Sequence, residues 1–368
     1  LPIKQSFKET YNNKKVFITG HTGFKGAWLT QWLLELGAEV SGYSLYIPSD
    51  PSLFEILDLK SKIQDHRQDI RDFPTLQKTI HDFKPDIIFH LAAQSIVMES
   101  YNKPRENFEV NVMGMVNILE SIKTIEGIQA AVLITSDKCY ENVEWEYGYR
   151  ETDRLGGKDP YSASKACAEI IFSSYVRSFP LLKNKFVATT RAGNVIGGGD
   201  WAAQRIIPDA MRSWSKGLSL SIRNPFSTRP WQHVLDPLSG YLWLGAQLLQ
   251  KNKLLNGESF NFGPHSDSNH TVEKLLKIIE KDWNSPPTII ENQETRIGEA
   301  HLLKLCCDRA SSLLNWKPNL TFEETLLFTN EWYLNFYKNN SINMKEFTLH
   351  QLNNYFNFAN KRNLCWAT

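Results

Sequence analysis

The stretch Val16-Phe17-Ile18-Thr19-Gly20-His21-Thr22-Gly23-Phe24-Lys25-Gly26 decides how this chain is read. Its first four residues form a short β-prone run and the glycines break it. Apolar residues then recur with helical spacing at Ala27, Leu29, Trp32, Leu33 and Leu36. That is strand, glycine turn, helix, and Gly37 stands where a C-terminal cap is favoured. Glycines at 20, 23 and 26 let a backbone come close to a pyrophosphate, while the helix that follows offers its first amides to the negative charge. Plain packing of strand against helix asks for the same residues, so the turn alone leaves both readings open.

Outward from this turn, 40–45, 86–90, 130–135 and 186–191 read as strands and 111–123 and 162–179 as helices. The alternation predicts an α/β fold with a Rossmann-type, doubly wound parallel sheet. After Gly193-Asn194-Val195-Ile196-Gly197-Gly198-Gly199 the alternation weakens. The expected organisation is a dinucleotide-binding domain over 14–194 and a smaller α/β substrate-binding lobe over 195–338, with strands partly interleaved. An extension over 339–368 follows. Its Phe347, Tyr355, Phe356, Phe358 and Trp366 are too many aromatics for a free tail and predict packing on the body or on a partner subunit.

The 368 residues carry 42% apolar and 12% aromatic side chains, enough for a substantial core, and 41 basic against 40 acidic groups. So even a balance leaves no global field to favour nucleic acid or an anionic membrane, and a phosphate-bearing ligand must be caught locally. Cys139, Cys167, Cys306, Cys307 and Cys365 form no C-x-x-C pair and no zinc spacing, which predicts free thiols in a reducing cytosol and no metal site. No run approaches the ~20 apolar residues of a membrane span. A cytoplasmic protein is expected.

The second strand ends Gly42-Tyr43-Ser44-Leu45, without an acidic residue and without an Arg or Lys to hold a 2′-phosphate, which favours NAD. Asp69, before Ile70, reads either as a contact to the adenine edge or as a helix cap ahead of Arg71-Asp72. The sharpest pattern is Tyr161-Ser162-Ala163-Ser164-Lys165: a tyrosine and a lysine four apart share one helix face. The ammonium of Lys165, together with a nicotinamide, would favour a phenolate and make Tyr161 a usable base. Thr135-Ser136-Asp137, at the end of a buried strand, supplies a hydroxyl for the same relay.

In order along the chain stand Thr19 to Gly26, His90-Leu91-Ala92-Ala93-Gln94, Asn111 before Val112, Ser136, and Tyr161 to Lys165. This pattern resembles the extended short-chain dehydrogenase/reductase (NAD-dependent epimerase/dehydratase) family. More narrowly, the glycine turn, Thr135 to Tyr140, Arg191 to Trp201 and Arg229 to Val234 resemble the sugar-nucleotide 4,6-dehydratases, over about residues 14 to 335. Most of those carry a glutamate where this chain has Lys138; the CDP-glucose branch is similar in carrying Asp-Lys.

The resemblance implies an NAD-dependent enzyme whose partner is a nucleotide-diphosphate sugar, CDP-glucose favoured. It assigns the cofactor to Gly20, Thr22, Gly23, Phe24, Lys25, Gly26, Asp69, Ile70, Leu91, Ala92, Ala93, Gln94, Asn111, Tyr161 and Lys165. Tyr161, Ser136 and Lys165 would carry C4 oxidation. Asp137 would be the acid that expels the C6 hydroxyl, and Lys138 either the C5 base or a charged contact to substrate. Asn194, Arg205, Arg229, Arg296 and His301 would hold sugar and diphosphate, while Trp201 and Trp231 suit either a ligand or the core. Related enzymes pair through the helix carrying the tyrosine and lysine, so a homodimer or homotetramer is expected. The alternatives are a dehydratase for another nucleotide sugar, a 4-epimerase, or a cofactor-sensing binding protein; Asp137 speaks against the second, and Tyr161 with Lys165 against the third.

Overall fold

A strand buried on both faces has no use for polar alternation, and Ala130–Ile134, all five residues buried, is such a strand. It lies in a seven-stranded sheet in a computed structural model of the chain, which describes residues 2–179, 184–222, 224–265, 268–283, 286, 288–290, 302–339 and 341–367. The strands are β1 (Lys15–Thr19), β2 (Glu39–Ser44), β3 (Gln64–Arg67), β4 (Ile87–His90), β5 (Ala130–Ile134), β6 (Phe186–Ala192) and β7 (Ser259–Phe262). They are hydrogen-bonded in the order β7-β6-β5-β4-β1-β2-β3, every pair parallel. The winding reverses between β1 and β4, where a doubly wound sheet opens its crevice at the carboxyl ends of the strands.

Successive side chains of a strand point to opposite faces, and β1 divides accordingly: Val16 and Ile18 enter one core and Phe17 the other. The Phe17 side is covered by α2 (Phe73–Phe83), α3 (Gly114–Thr124) and α4 (Pro160–Ser178), through Ile80, Leu119 and Phe172. The opposite side is covered by α1 (Phe24–Glu35), α5 (Leu235–Leu249), α6 (Phe322–Lys338) and α7 (Met344–Lys361), through Trp28, Leu238, Trp332 and Tyr355.

Three features depart from or extend the sequence reading. β7, a strand the sequence reading did not name, comes from beyond residue 195 yet completes the sheet. Ahead of α3 the chain forms a π-helical turn over Glu109–Met113 rather than a regular helix from 111. At the N-terminus, Ile3, Phe7 and Tyr11 are buried in the core, with the backbone turning at Phe7 and Lys8 through φ 53° and 54°.

The aromatic extension packs on the body. Trp366 stacks between Phe7 and Tyr355, with ring centroids 5.3 and 5.7 Å apart. The Tyr355 hydroxyl donates to Asp236 at 2.7 Å and Trp332 Nε1 donates to Thr348 at 2.9 Å. Among the described residues no helix is long and apolar enough to cross a membrane.

Candidate active site

The glycine turn sits at the carboxyl end of β1, and its three glycines have different reasons. Gly20 has φ +77°, and a Cβ there would lie 2.7 Å from Ala92 N; a Cβ on Gly26 would lie 2.1 Å from Gly20 O. Packing of β1 against β4 and α1 explains both. A Cβ on Gly23 would meet only Gly20 O at 3.4 Å, an ordinary contact. Space in front of Gly23 at the start of α1 is what an approaching pyrophosphate needs, so the cradle fits a dinucleotide. Phe24 and Lys25 open that helix, and Thr22 Oγ1 donates to Tyr46 O at 2.7 Å.

The residues after β4 form the opposite wall. Thr19 Oγ1 meets His90 Nδ1 at 2.7 Å and accepts from Ala92 N at 3.1 Å, while Leu91 N donates to Thr19 O at 3.0 Å. Burial lowers His90 to about 3, so it is neutral here. Past Ala93, Gln94 N donates to Asn111 Oδ1 at 2.8 Å; Asn111 Nδ2 donates to Gln94 O at 3.0 Å and to Ser164 Oγ at 2.9 Å. The wide π turn seats Asn111 between this loop and α4, next to Lys165.

At the ends of β2 and β3 the structure adds a cation that strand β2 lacks. Arg67 pairs in register with Ser44 and lines one groove with Leu45 and Tyr46. It is held by Asp65 at 3.1 Å and by the Phe54 ring at 4.8 Å. Asp65 also meets His21 Nε2 at 2.8 Å, and His21 Nδ1 meets Ser44 Oγ at 2.9 Å. The absence of Arg or Lys therefore holds for β2 alone, because sheet pairing brings Arg67 in beside it from β3.

Asp69 does not cap a helix. Its carboxylate is held by Arg71 at 2.6 to 3.0 Å, which lowers its pKa, and the cap of α2 is Asp72, accepting from Thr75 N at 3.3 Å. Ile70 is buried beside Gly114, whose missing side chain makes room for it.

Tyr161 and Lys165 lie in the first two turns of α4, which begins with Pro160 and is capped by Asp159 accepting from Ser162 N at 2.9 Å. Facing them, Ser136 caps a short turn over Asp137–Cys139, and its hydroxyl donates to Asp137 Oδ1 at 3.0 Å. Burial raises the Tyr161 phenol to about 12; Ser136 and Arg205 oppose that and Asp137 adds to it. Lys165 is not among these largest influences, so the chain by itself does not make the phenol the easy base that the tyrosine-lysine spacing suggests. Lys165 is lowered to about 8, by burial first, with Glu169 as the leading opposing charge. Burial also raises the Asp137 carboxyl, against the pull of Lys138, Ser136 and Lys25. Lys25 itself is lowered to about 8, by burial first and then by Arg205. These groups act on one another as one buried cluster, and a carboxyl there keeps its proton to higher pH than a free one.

Sequence reasoning missed the anchor beneath this site. Glu169, one turn past Lys165, accepts from Arg191 Nη2 at 2.7 Å, Thr189 Oγ1 at 2.9 Å, Ser259 Oγ at 3.1 Å and the Thr135 hydroxyl. It thereby ties α4 to β5, β6 and β7. The i, i+4 spacing from Lys165 was the available signal.

Of the substrate candidates, Arg205 pairs with Asp200 at 2.9 Å and acts on Tyr161. Asn194 O accepts from Gln232 N at 3.2 Å, and Arg229, on Thr228–Pro230, donates to Thr228 O at 2.9 Å. Arg296 and His301 lie outside the described residues. Trp201 and Trp231 are core residues: both are buried, donating to Tyr337 at 3.0 Å and to His270 O at 2.9 Å. Among the described residues no three His, Cys, Asp or Glu side chains gather as a metal site requires.

A Rossmann-type sheet, a pyrophosphate cradle and a buried tyrosine–serine–acid cluster define an extended dehydrogenase/reductase-type fold, and the GDP-mannose 4,6 dehydratase family model matches residues 17–327: the chain belongs to that family. It is 47% identical over 331 residues to the CDP-glucose 4,6-dehydratase of Salmonella typhimurium, covering 89% of this chain and 92% of that one. In fold it is similar to an epimerase from Methanothermobacter thermautotrophicus, with TM-score 0.79, 24% identity and coverage of 91% and 96%. It is also similar to the dTDP-glucose 4,6-dehydratase of Streptomyces venezuelae with NAD and TYD bound, with TM-score 0.75, 22% identity and coverage of 87% and 96%.

Proposed function

We propose that the chain is an NAD-dependent hydro-lyase that converts CDP-glucose to CDP-4-keto-6-deoxyglucose and water. The observation that carries this reading is Asp137, a buried carboxyl inclined to keep its proton, clustered with Tyr161 and Ser136. A 4-epimerase needs the phenol and the hydroxyl but has no hydroxyl to expel.

NAD, when bound, supplies the oxidant for C4 and the reductant for C6. Gly20 to Gly26, Asp69-Ile70, Leu91 to Gln94 and Asn111 hold it, and the cradle at Gly23 supports that placement. Tyr161 takes the proton of the 4-hydroxyl, with Ser136 hydrogen-bonded to it and Lys165 supplying positive charge. The 4-ketone acidifies C5–H. Lys138 removes that proton, and Asp137 gives its own to the C6 hydroxyl as the C6–O bond breaks, leaving a C5=C6 bond and water; once C6 has received hydride, Lys138 returns its proton to C5. Asn194, Arg205, Arg229, Arg296 and His301 bind sugar and diphosphate, guanidinium groups being the natural bidentate partners.

The protein works in the cytoplasm, in keeping with its five free thiols, and its product suits deoxysugar supply for surface polysaccharides. It forms a homodimer or homotetramer through α4 and the helices packed on it. Exposed Met98, Tyr101, Phe108 and Ile170 support that pairing.

Purified protein with NAD, offered CDP-glucose, dTDP-glucose, UDP-glucose and GDP-mannose, is expected to remove water from CDP-glucose alone, read by product mass. Interconversion of C4 epimers without mass change would overturn the reading.

A further inference from the structure

The carboxyl that expels the hydroxyl rests against a residue with no side chain. Gly193 follows β6, and a Cβ built there would lie 2.8 Å from Asp137 Oδ2 and 3.5 Å from its Cγ, with Pro230 Cγ next at 3.8 Å. Ordinary contact begins near 3.4 Å, so the carboxyl occupies space that any other residue would fill. Backbone conformation does not ask for glycine here, because Gly193 is not among the glycines with positive φ. The nearest obstacle to a side chain is the acid itself.

The two oxygens of that acid differ. Oδ1 accepts from the Ser136 hydroxyl at 3.0 Å, and the same hydroxyl accepts from Lys138 N at 3.2 Å. Oδ2 is the oxygen that lies nearest Gly193, and the Lys138 backbone N–H also acts on the carboxyl. A carboxyl held by a donor at Oδ1 and backed by bare backbone at Oδ2 is restricted in orientation, with Oδ2 placed to carry the proton.

We propose that Gly193 is a positioning residue for the elimination step: its missing Cβ leaves the slot that aims Asp137 Oδ2 at the leaving hydroxyl. The inference rests on the dehydratase reading above. In the step it serves, the C5–H electrons form C5=C6, the C5 proton passes to the base, the C6–O bond breaks, and the Oδ2 proton leaves with that oxygen as water. A methyl at 193 pushes the carboxyl by about the half ångström that separates 2.8 from 3.4 Å. Misplacements of that order cost roughly 10- to 100-fold in rate. Neither Tyr161, Ser136 nor Lys165 is among the atoms nearest such a methyl, so oxidation at C4 is expected to survive.

The test compares wild type, Gly193→Ala, Asp137→Asn and the double variant on CDP-glucose with NAD, following product mass and enzyme-bound reduced nicotinamide. Gly193→Ala is expected to lower kcat roughly 10- to 100-fold with KM nearly unchanged, while reduced nicotinamide accumulates. Adding it to Asp137→Asn is expected to change nothing further, since it acts only through that carboxyl. Wild-type kcat in Gly193→Ala, loss of C4 oxidation, an insoluble variant, or the same added loss in the Asp137→Asn background each overturns the proposal. A wild type that dehydrates none of the four nucleotide sugars removes the dehydratase reading as well; a working wild type with an unaffected alanine variant removes the proposal alone.

Discussion

At Tyr161 burial prevails in the protein alone, raising the phenol to about 12, with the Ser136 hydrogen bond and Arg205 opposing it and Asp137 adding to it. Lys165, four residues further along the same helix, is lowered to about 8 by burial. A lysine with a lowered pKa is charged below that value and loses its proton as pH rises through it, so the charge that favours the phenolate is lost above about 8. The alkaline limb of kcat/KM, which reports the free enzyme, is expected near that pH. A flat profile across this range would remove Lys165 from the role. Lys138→Ala is expected to leave C4 oxidation intact, seen as bound reduced nicotinamide, and to abolish water loss; elimination at the normal rate would reassign the C5 base.

On the scale of elements, α4 is useful only if it stays in register with β5, since one carries Tyr161 and the other leads into Ser136. Glu169 sets that register from underneath, accepting from Thr135 just past β5 and pairing with Arg191 on β6, both charged side chains almost wholly buried. Removing one partner of a buried pair leaves an uncompensated charge, at a cost of about 3–5 kcal/mol. Glu169→Gln is expected to lose stability of that order in denaturant titration, and a loss below about 1 kcal/mol would show the pair to be dispensable. The same pair explains why the site was only half legible in sequence. Tyr161 to Lys165 announces itself by helical spacing, but the partners of Glu169 come from β5, β6 and β7, and only the sheet order brings them together.

For the molecule as a whole, the extension belongs to the core and is tied there by Asp236, whose carboxyl accepts from Tyr355 Oη at 2.7 Å and Asn319 N at 2.9 Å. Burial raises Asp236 to about 6 from 3.8. A carboxyl with a raised folded-state pKa binds its proton more tightly folded than unfolded. Its contribution is therefore most favourable below about 3.8, is lost as pH rises through about 6, and costs about 3 kcal/mol above that. Asp236→Asn is expected to gain stability relative to wild type across this window, read as the difference in Tm between acidic and neutral pH. A constant difference would place the pH dependence elsewhere. Trp366→Ala, which empties the stack on Phe7 and Tyr355, is expected to cost about 3–5 kcal/mol in the same measurement.

The sequence by itself determined the class of sheet, the strand-turn-helix at Gly20 to Gly26 and the tyrosine-lysine face, because each is written in residues close together in the chain, where spacing and backbone geometry leave few options. It also told that the aromatic tail packs, though not on what. Only the tertiary structure decided that Arg67 comes to the edge of the cofactor groove from β3, that Asp69 is taken by Arg71, that Asp137 lies against Gly193, and that Phe7, Tyr355 and Trp366 share one stack. Those facts join residues tens to hundreds of positions apart, and such contacts follow from which strands pair and which surfaces exclude water rather than from any local pattern.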